Sequence, residues 1–310
     1  MYTILAKTKD MPHDEWLEMR KKGIGGSDAG AICGVNPYSN ALAVFRSKTN
    51  DDIEETDNEA VRQGHDLEEY VAQRFSEATG LKVRKSNMMY QSVEYPFMIA
   101  DVDRLIVGED AGLECKTASA YNADKWKDGD IPLHYLLQCY HYMIVLGKKT
   151  WYIAAVILGQ EFVYRKIVWD DQLAERLIEI EKDFWNNNVL MNQMPSPDGT
   201  KVSDEIIQKY FGTAKKESTI ELVGFDDKLD RRTEILSQIK KLETEQKKID
   251  QEIKLFMQDN ERAKSEKYLV SWSNVESTRI DTKKIKAEKP EIYAEYSKPS
   301  SSRRFEVKAA

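Results

Sequence analysis

The chain has 310 residues, 41% of them hydrophobic and 32% charged, with a net charge of −7. That is enough chain for one large soluble globular domain or a core with an appendage, and no run nears the roughly 18 consecutive apolar residues of a membrane span. The acidic balance argues against a protein that coats DNA non-specifically, which needs a basic surface, but leaves open an enzyme that meets DNA at one site.

The N-terminal MYTILAKTKDM lacks the basic start, apolar core and small-residue cleavage site of a signal peptide. Three widely spaced cysteines suit a reducing compartment, and four histidines in no metal-ligand spacing argue against a zinc site. The expected location is the cytoplasm. Pro12 to Glu15 carry a helix start, with proline and acids in the first turn, and that helix ends near Gly23. Gly25-Gly26-Ser27-Asp28-Ala29 then reads as a glycine-rich loop with Ser27 as N-cap of the next helix. Residues 34–39 break the chain again, and residues 51–58 form an acidic surface loop. Residues 59–79 form an amphipathic helix ended by Gly80.

Residues 82–118 hold strands. The apolar run FMIADVDRLIV, a glycine-containing acidic turn and GLECKTAS read as a β-hairpin. A helix over 132–147 ends at Gly147; two strands joined through Gly159-Gln160 follow, then a helix over 170–193. Pro195 to Gly199 mark a linker. These elements predict an α+β core over residues 1–200, with a mixed central sheet flanked by helices, and an extension over 201–310. In the extension, residues 227–260 carry apolar residues near a/d spacing, interrupted by Gln246, as in a helical hairpin or coiled-coil arm. Short strands are expected at 266–274 and 303–308.

The hairpin carries the chemistry. Residues two apart on a strand share a face, so Glu114 and Lys116 project together, and the hairpin can bring Asp103 beside them. Two carboxylates and an ammonium suit divalent-metal phosphodiester hydrolysis: the carboxylates and the Cys115 backbone carbonyl hold a hard cation, and Lys116 positions the attacking water. An unperturbed lysine is a poor base at neutral pH, so the cation supplies most of the activation. Asp101 lies two residues before Asp103, on the same face of a regular strand, and spacing alone leaves both open. Upstream, Gly64-His65-Asp66-Leu67-Glu68 opens a helical pattern, and downstream Gln138 and Tyr142 lie four apart on one helix face.

The ordered set Trp16-x3-Arg20-x3-Ile24-Gly25-Gly26-Ser27-Asp28-Ala29, Gly64-x3-Glu68, Asp103, Glu114-Cys115-Lys116 and Gln138-x3-Tyr142 resembles the phage lambda exonuclease/YqaJ-type viral recombinase nucleases, within the PD-(D/E)xK superfamily. The resemblance covers about residues 12–165 and extends, in the YqaJ branch, over much of the tail. It implies a restriction-endonuclease-like core. Asp103, not Asp101, becomes the metal ligand with Glu114, and Glu68 completes the shell. Arg104 stands where many relatives have glycine, and its expected role is a phosphate contact. Arg20 and Ser27 match a pocket for the terminal 5′-phosphate, a sensible place for a bidentate arginine and free helix N–H groups. Gln138 and Tyr142 help hold the active-site end of the DNA strand.

The implied activity is Mg²⁺-dependent 5′→3′ digestion of double-stranded DNA ends, with Mn²⁺ substituting, leaving 3′ overhangs for recombination with a single-strand annealing protein. Some related nucleases bear an iron–sulfur cluster on four cysteines; three are too few, so none is expected. A trimeric ring is the oligomer the resemblance implies. Two other readings remain: an endonuclease of the same superfamily, which has no need of a terminal-phosphate pocket, and a non-catalytic adaptor whose arm binds an annealing protein.

Overall fold

The computed structural model describes residues 1–51, 58–298 and 303–308. It forms two compact units, Met1–Phe211 and Gly212–Ala310. Most of the acidic stretch read as a loop, residues 52–57, lies outside the described residues.

The first unit opens with β1 (Tyr2–Lys7), followed by helices α1 (His13–Lys21), α2 (Gly26–Ile32), α3 (Ala41–Thr49) and α4 (Glu59–Thr79). Asn58 caps α4 by accepting from the Val61 N–H, and Gly80 ends it with φ of 74°, a left-handed turn that glycine adopts without strain. Strands β2 (Val83–Lys85), β3 (Met88–Ser92), β4 (Ile99–Asp101), β5 (Arg104–Ile106) and β6 (Ala111–Ala118) come next. Short 3₁₀ turns over Ala120–Gly129 lead into α5 (Leu133–Leu146), and then β7 (Thr150–Ile157), β8 (Glu161–Val168) and α6 (Asp171–Asp183) follow. A π-helical turn, Phe184–Leu190, extends α6, and α7 (Lys201–Phe211) closes the unit.

The central sheet has five strands in the order β2-β5-β6-β7-β8. Only β6 and β7 run parallel, so the sheet is mixed, as the α+β reading expects. Alternation along β6 and β7 divides the core. Leu113, Cys115, Tyr152 and Ala154 pack with Val71, Ala72 and Phe75 of α4, while Trp151, Ile153 and Ala155 join the α5 side. Every residue of α5 from Leu137 to Leu146 is buried, as expected of a helix enclosed on all sides. α2 lies against it at close range. A Cβ on Gly26 would come within 2.5 Å of the Tyr142 ring, and one on Gly30 within 2.7 Å of the His134 Cβ, so this approach requires glycine.

One expectation fails here. FMIADVDRLIV is not a single hairpin strand. Its first half, β4, belongs to a second antiparallel sheet, β1-β3-β4, and its second half, β5, belongs to the central sheet. Val102 and Asp103 cross between them. Ser27 is also not an N-cap: the cap lies two residues earlier, at Gly25, whose N–H donates to the Asp28 carboxylate at 2.9 Å.

The second unit contains a 32-residue helix α8 (Asp226–Met257), the hairpin β9 (Arg262–Lys264) and β10 (Leu269–Ser271), and short helices α9 (Thr282–Glu288) and α10 (Pro290–Tyr296). Residues 303–308 form no strand. Among the described residues their alternating pattern has no strand to pair with, and a strand exists only through such a partner. Among the described residues no helix is long and apolar enough to cross a membrane.

Candidate active site

The β5–β6 ladder stops at the pair Arg104↔Leu113. The next N–H of β6 on that side, from Cys115, is therefore free, and it donates to Asp103 Oδ2 at 2.8 Å. In a strand the N–H and C=O of one residue face the same side, so the Cys115 carbonyl opens toward Asp103 as well. Glu114 points to the α5 face. Its Oε1 accepts from Gln138 Nε2 at 2.7 Å and meets Lys116 Nζ at 2.6 Å, and Gln138 also donates to the Tyr142 hydroxyl at 2.9 Å. Glu114 Oε2 is buried without a hydrogen-bond partner.

The electrostatics follow from that crowding. Burial, then the neighbouring Glu114 charge, pushes the Asp103 carboxyl well above its ordinary pKa, and burial raises Glu114. Burial alone would lower Lys116; the Glu114 and Asp103 carboxylates outweigh it and hold the ammonium charged. A half-buried and a buried carboxylate that resist joint ionisation, one with an orphaned oxygen, are a donor set suited to a cation. Asp103, Glu114 and the Cys115 carbonyl fit a hard divalent ion, for which a few protein oxygens plus water and phosphate suffice.

These groups line a cavity of about 730 Å³ that also includes Glu68, Tyr38, Asn122, Lys125, His134 and Tyr135. Glu68 shares the cavity, but its carboxylate is engaged by Arg104 and lies 3.8 Å from Lys85 Nζ. Among the described residues no three Asp, Glu, His or Cys side chains gather closely enough to hold a metal between them. Arg104 corrects an expectation. It is 2% exposed, with its guanidinium spent on Glu68 and, at 2.8 Å, on Glu69, so it braces α4 against β5 and does not reach a phosphate. Gln138 and Tyr142 are likewise buried, with hydrogen bonds directed at Glu114 and each other; no face of theirs is left for a DNA strand. Asp101, the alternative to Asp103, is engaged elsewhere, accepting from the Trp16 indole at 2.8 Å.

Sequence reasoning missed His134 and Tyr135. Tyr135 lies over Lys116, with Nζ 4.7 Å from the ring centroid. His134 Nε2 is buried without a partner, and burial, then Lys116, pushes its pKa down to about 4, so the ring is neutral at pH 7. Their signal in the sequence is weak: two aromatic residues following Pro132 at a helix start.

A second pocket lies between α1, α2 and α3 and is lined by Arg20, Ser27, Ser39, Ser47 and Lys48. Arg20 stacks over Trp16 at 5.2 Å and donates to Ser27 Oγ at 3.1 Å and Asp28 Oδ1 at 2.9 Å. Lys48, which the motif did not include, bonds Asp28 Oδ2 at 2.8 Å and the Arg20 carbonyl at 2.9 Å. Arg20 and Lys48 outweigh burial and hold the Asp28 carboxyl below the usual carboxylate range. Burial pushes Lys48 down to about 8, from an unfolded value near 10.5. A depressed lysine means the unfolded chain binds more protons between those values, so stability rises with pH there. Relative to Lys48→Met, the natural chain should gain about 3 kcal/mol between pH 8 and 10.5, measured by denaturant unfolding at each pH. A flat difference across that window would show that burial does not depress the Lys48 ammonium.

Comparison with known proteins follows the same lines. A family model described as a YqaJ-like viral recombinase domain matches residues 15–149. The uncharacterized protein YqaJ of Bacillus subtilis (strain 168) is 38% identical over 309 residues, covering 98% of this chain and 97% of its own. That similarity runs through the second unit as well as the first. Among solved structures, the alkaline exonuclease LHK-Exo of Laribacter hongkongensis gives a TM-score of 0.48 at 16% identity, over 58% of this chain and 94% of its own. A phage related exonuclease of Haemophilus somnus 129PT gives 0.39 at 14% identity, over 56% and 96%.

Proposed function

The chain belongs to the YqaJ-like viral recombinase family, and from that premise we propose that it is a divalent-metal-dependent 5′→3′ exonuclease acting on double-stranded DNA ends. The observation that carries the reading is the pairing of the half-buried Asp103 with the buried Glu114, with Lys116 charged beside them, at the wall of a cavity large enough for a nucleotide. Asp103, Glu114 and the Cys115 carbonyl would hold Mg²⁺, with Mn²⁺ as substitute, and Glu68 would complete the shell. When bound, the ion polarises the phosphodiester and activates water for in-line attack. Lys116 orients the attacking water and offsets charge on the phosphate. Gln138, itself bonded to Tyr142, fixes the Glu114 carboxylate at the cavity wall.

Arg20 and Ser27 hold the 5′-phosphate in the second pocket, and Lys48 and Asp28 keep the guanidinium in place. Cleavage repeated from such an end leaves a 3′ overhang. The same reading puts the chain in the cytoplasm of a bacterial host beside a single-strand annealing protein that takes up the overhang, with a ring-shaped homo-oligomer as the assembly that would keep it on DNA.

The test is digestion of linear and covalently closed circular duplex DNA, with Mg²⁺ or with EDTA, using separate 5′ and 3′ labels. Mg²⁺-dependent loss of the linear DNA alone, with the 5′-ended strand consumed, is the expected result. Cutting of the circle would identify an endonuclease, and no cleavage with any divalent ion an adaptor. Arg20→Ala should lower digestion of 5′-phosphorylated ends about tenfold or more, the worth of one charged hydrogen bond, while 5′-hydroxyl ends change little. Equal loss on both ends would remove the phosphate pocket from the reading.

A further inference from the structure

The second unit holds a surface that the nuclease site does not use. Along α8 the residues Ile235, Ile239, Leu242, Ile249, Ile253 and Phe256 recur in strict steps of four and three, with Gln246 filling the one gap. With Ile239 at a and Leu242 at d, the repeat holds a 3.5-residue period for three heptads, that of a coiled-coil seam. The seam is largely open: Ile253 is half-buried, and the others are exposed, from 40% at Ile235 to 65% at Leu242 and 87% at Phe256. A contiguous apolar stripe left in water marks a contact surface.

The flanks say what fits it. The e and g positions beside the seam's central and C-terminal parts are Glu243, Glu245, Asp250 and Glu252, all acidic. Lysines 240, 241, 247, 248 and 254 stand at b and c, behind the seam; among the described residues, Glu252 is the one flanking acid with a lysine within 4 Å, Lys248 at 3.9 Å. Two copies of this helix side by side would face acid with acid. A parallel pair sets Glu245 against Asp250, and an antiparallel pair sets e against e and g against g. Like charges across a seam reject a partner, and opposite charges select one.

We propose that α8 docks a helix from a different protein, one with an apolar heptad seam, a polar residue near its middle and Lys or Arg at the e and g positions. The contact is a heterotypic coiled coil whose selectivity is electrostatic. It does not rest on the nuclease reading.

The test uses the full chain and designed four-heptad peptides with Ile at a, Leu at d and one central Asn, differing only in Lys or Glu at e and g. Fluorescence anisotropy should show the Lys-flanked peptide bound at least about tenfold more tightly, with the margin shrinking as salt rises. Leu242→Asp should abolish binding and leave DNA digestion unchanged. Glu245→Lys combined with Glu252→Lys should shift preference toward the Glu-flanked peptide without disturbing the seam. Equal binding of both peptides, or of neither, would overturn the proposal. So would a dimer of the chain itself that Leu242→Asp dissolves, since a second copy would then own the seam.

Discussion

Glu114→Gln leaves a folded chain that has lost at least about a thousandfold of its DNA cleavage, on the scale of removing a charge on which the transition state depends. The amide keeps the shape of the side chain and its contact with Gln138, yet it withdraws the negative charge that holds Lys116 and, with Asp103, receives the cation. Stability should move the other way. Glu114 is a buried carboxylate with a raised pKa and an oxygen without a partner, so a neutral isostere relieves a cost. Lost cleavage with an unchanged or higher melting temperature is the signature of a functional charge kept against stability. Lys116→Met should match the loss of activity. Full activity in either variant would place the chemistry elsewhere.

A second large effect lies outside the cavity. His141 of α5 and Glu181 of α6 are both fully buried, with His141 Nδ1 2.9 Å from Glu181 Oε1 and Nε2 2.8 Å from the Ile99 carbonyl of β4. This contact ties α5 to α6 and to the smaller sheet. His141→Leu strands a carboxylate in the core, and Glu181→Leu strands a ring nitrogen. Each single change should cost about 3–5 kcal/mol, whereas the double change to leucine should cost clearly less than the sum. Chemical denaturation of the four proteins gives the cycle. Additive losses would mean that the two side chains act independently. Because His141 also bonds the Ile99 carbonyl of β4, the strand that leads through Val102 to Asp103, the unstable single variants should lose cleavage as well.

Much of the core was legible because its signals are local. α4 carries its own cap at Asn58 and its stop at Gly80, and β7 and β8 are apolar runs joined at Gly159. The association of Asp103 with Glu114 and Lys116 was legible for the same reason, since both segments sit within one stretch of chain. The crossing at Val102 was hidden, because an apolar run reads alike whether its two halves serve one sheet or two. Arg104 misled for a related reason. An arginine beside a catalytic motif suggests DNA until Glu68 and Glu69, about thirty-five residues away, are seen to take its charge in the interior. His134 entered the cavity only through tertiary packing against Gly30. The 303–308 segment shows the limit of alternation, which offers a face but cannot supply a neighbour.

Val102 and Asp103 alone bridge β4 and β5. A two-residue joint has no slack, and one residue of strand covers about 3.3 Å. Losing or gaining a single residue between Ile99 and Arg104 would slide one ladder against the other by that amount, or turn the Asp103 side chain to the opposite face. Loops elsewhere on the molecule can lengthen at little cost. Here chain length itself is a functional quantity, and selection on cleavage is expected to act on the count of residues in this joint as strictly as on their identity.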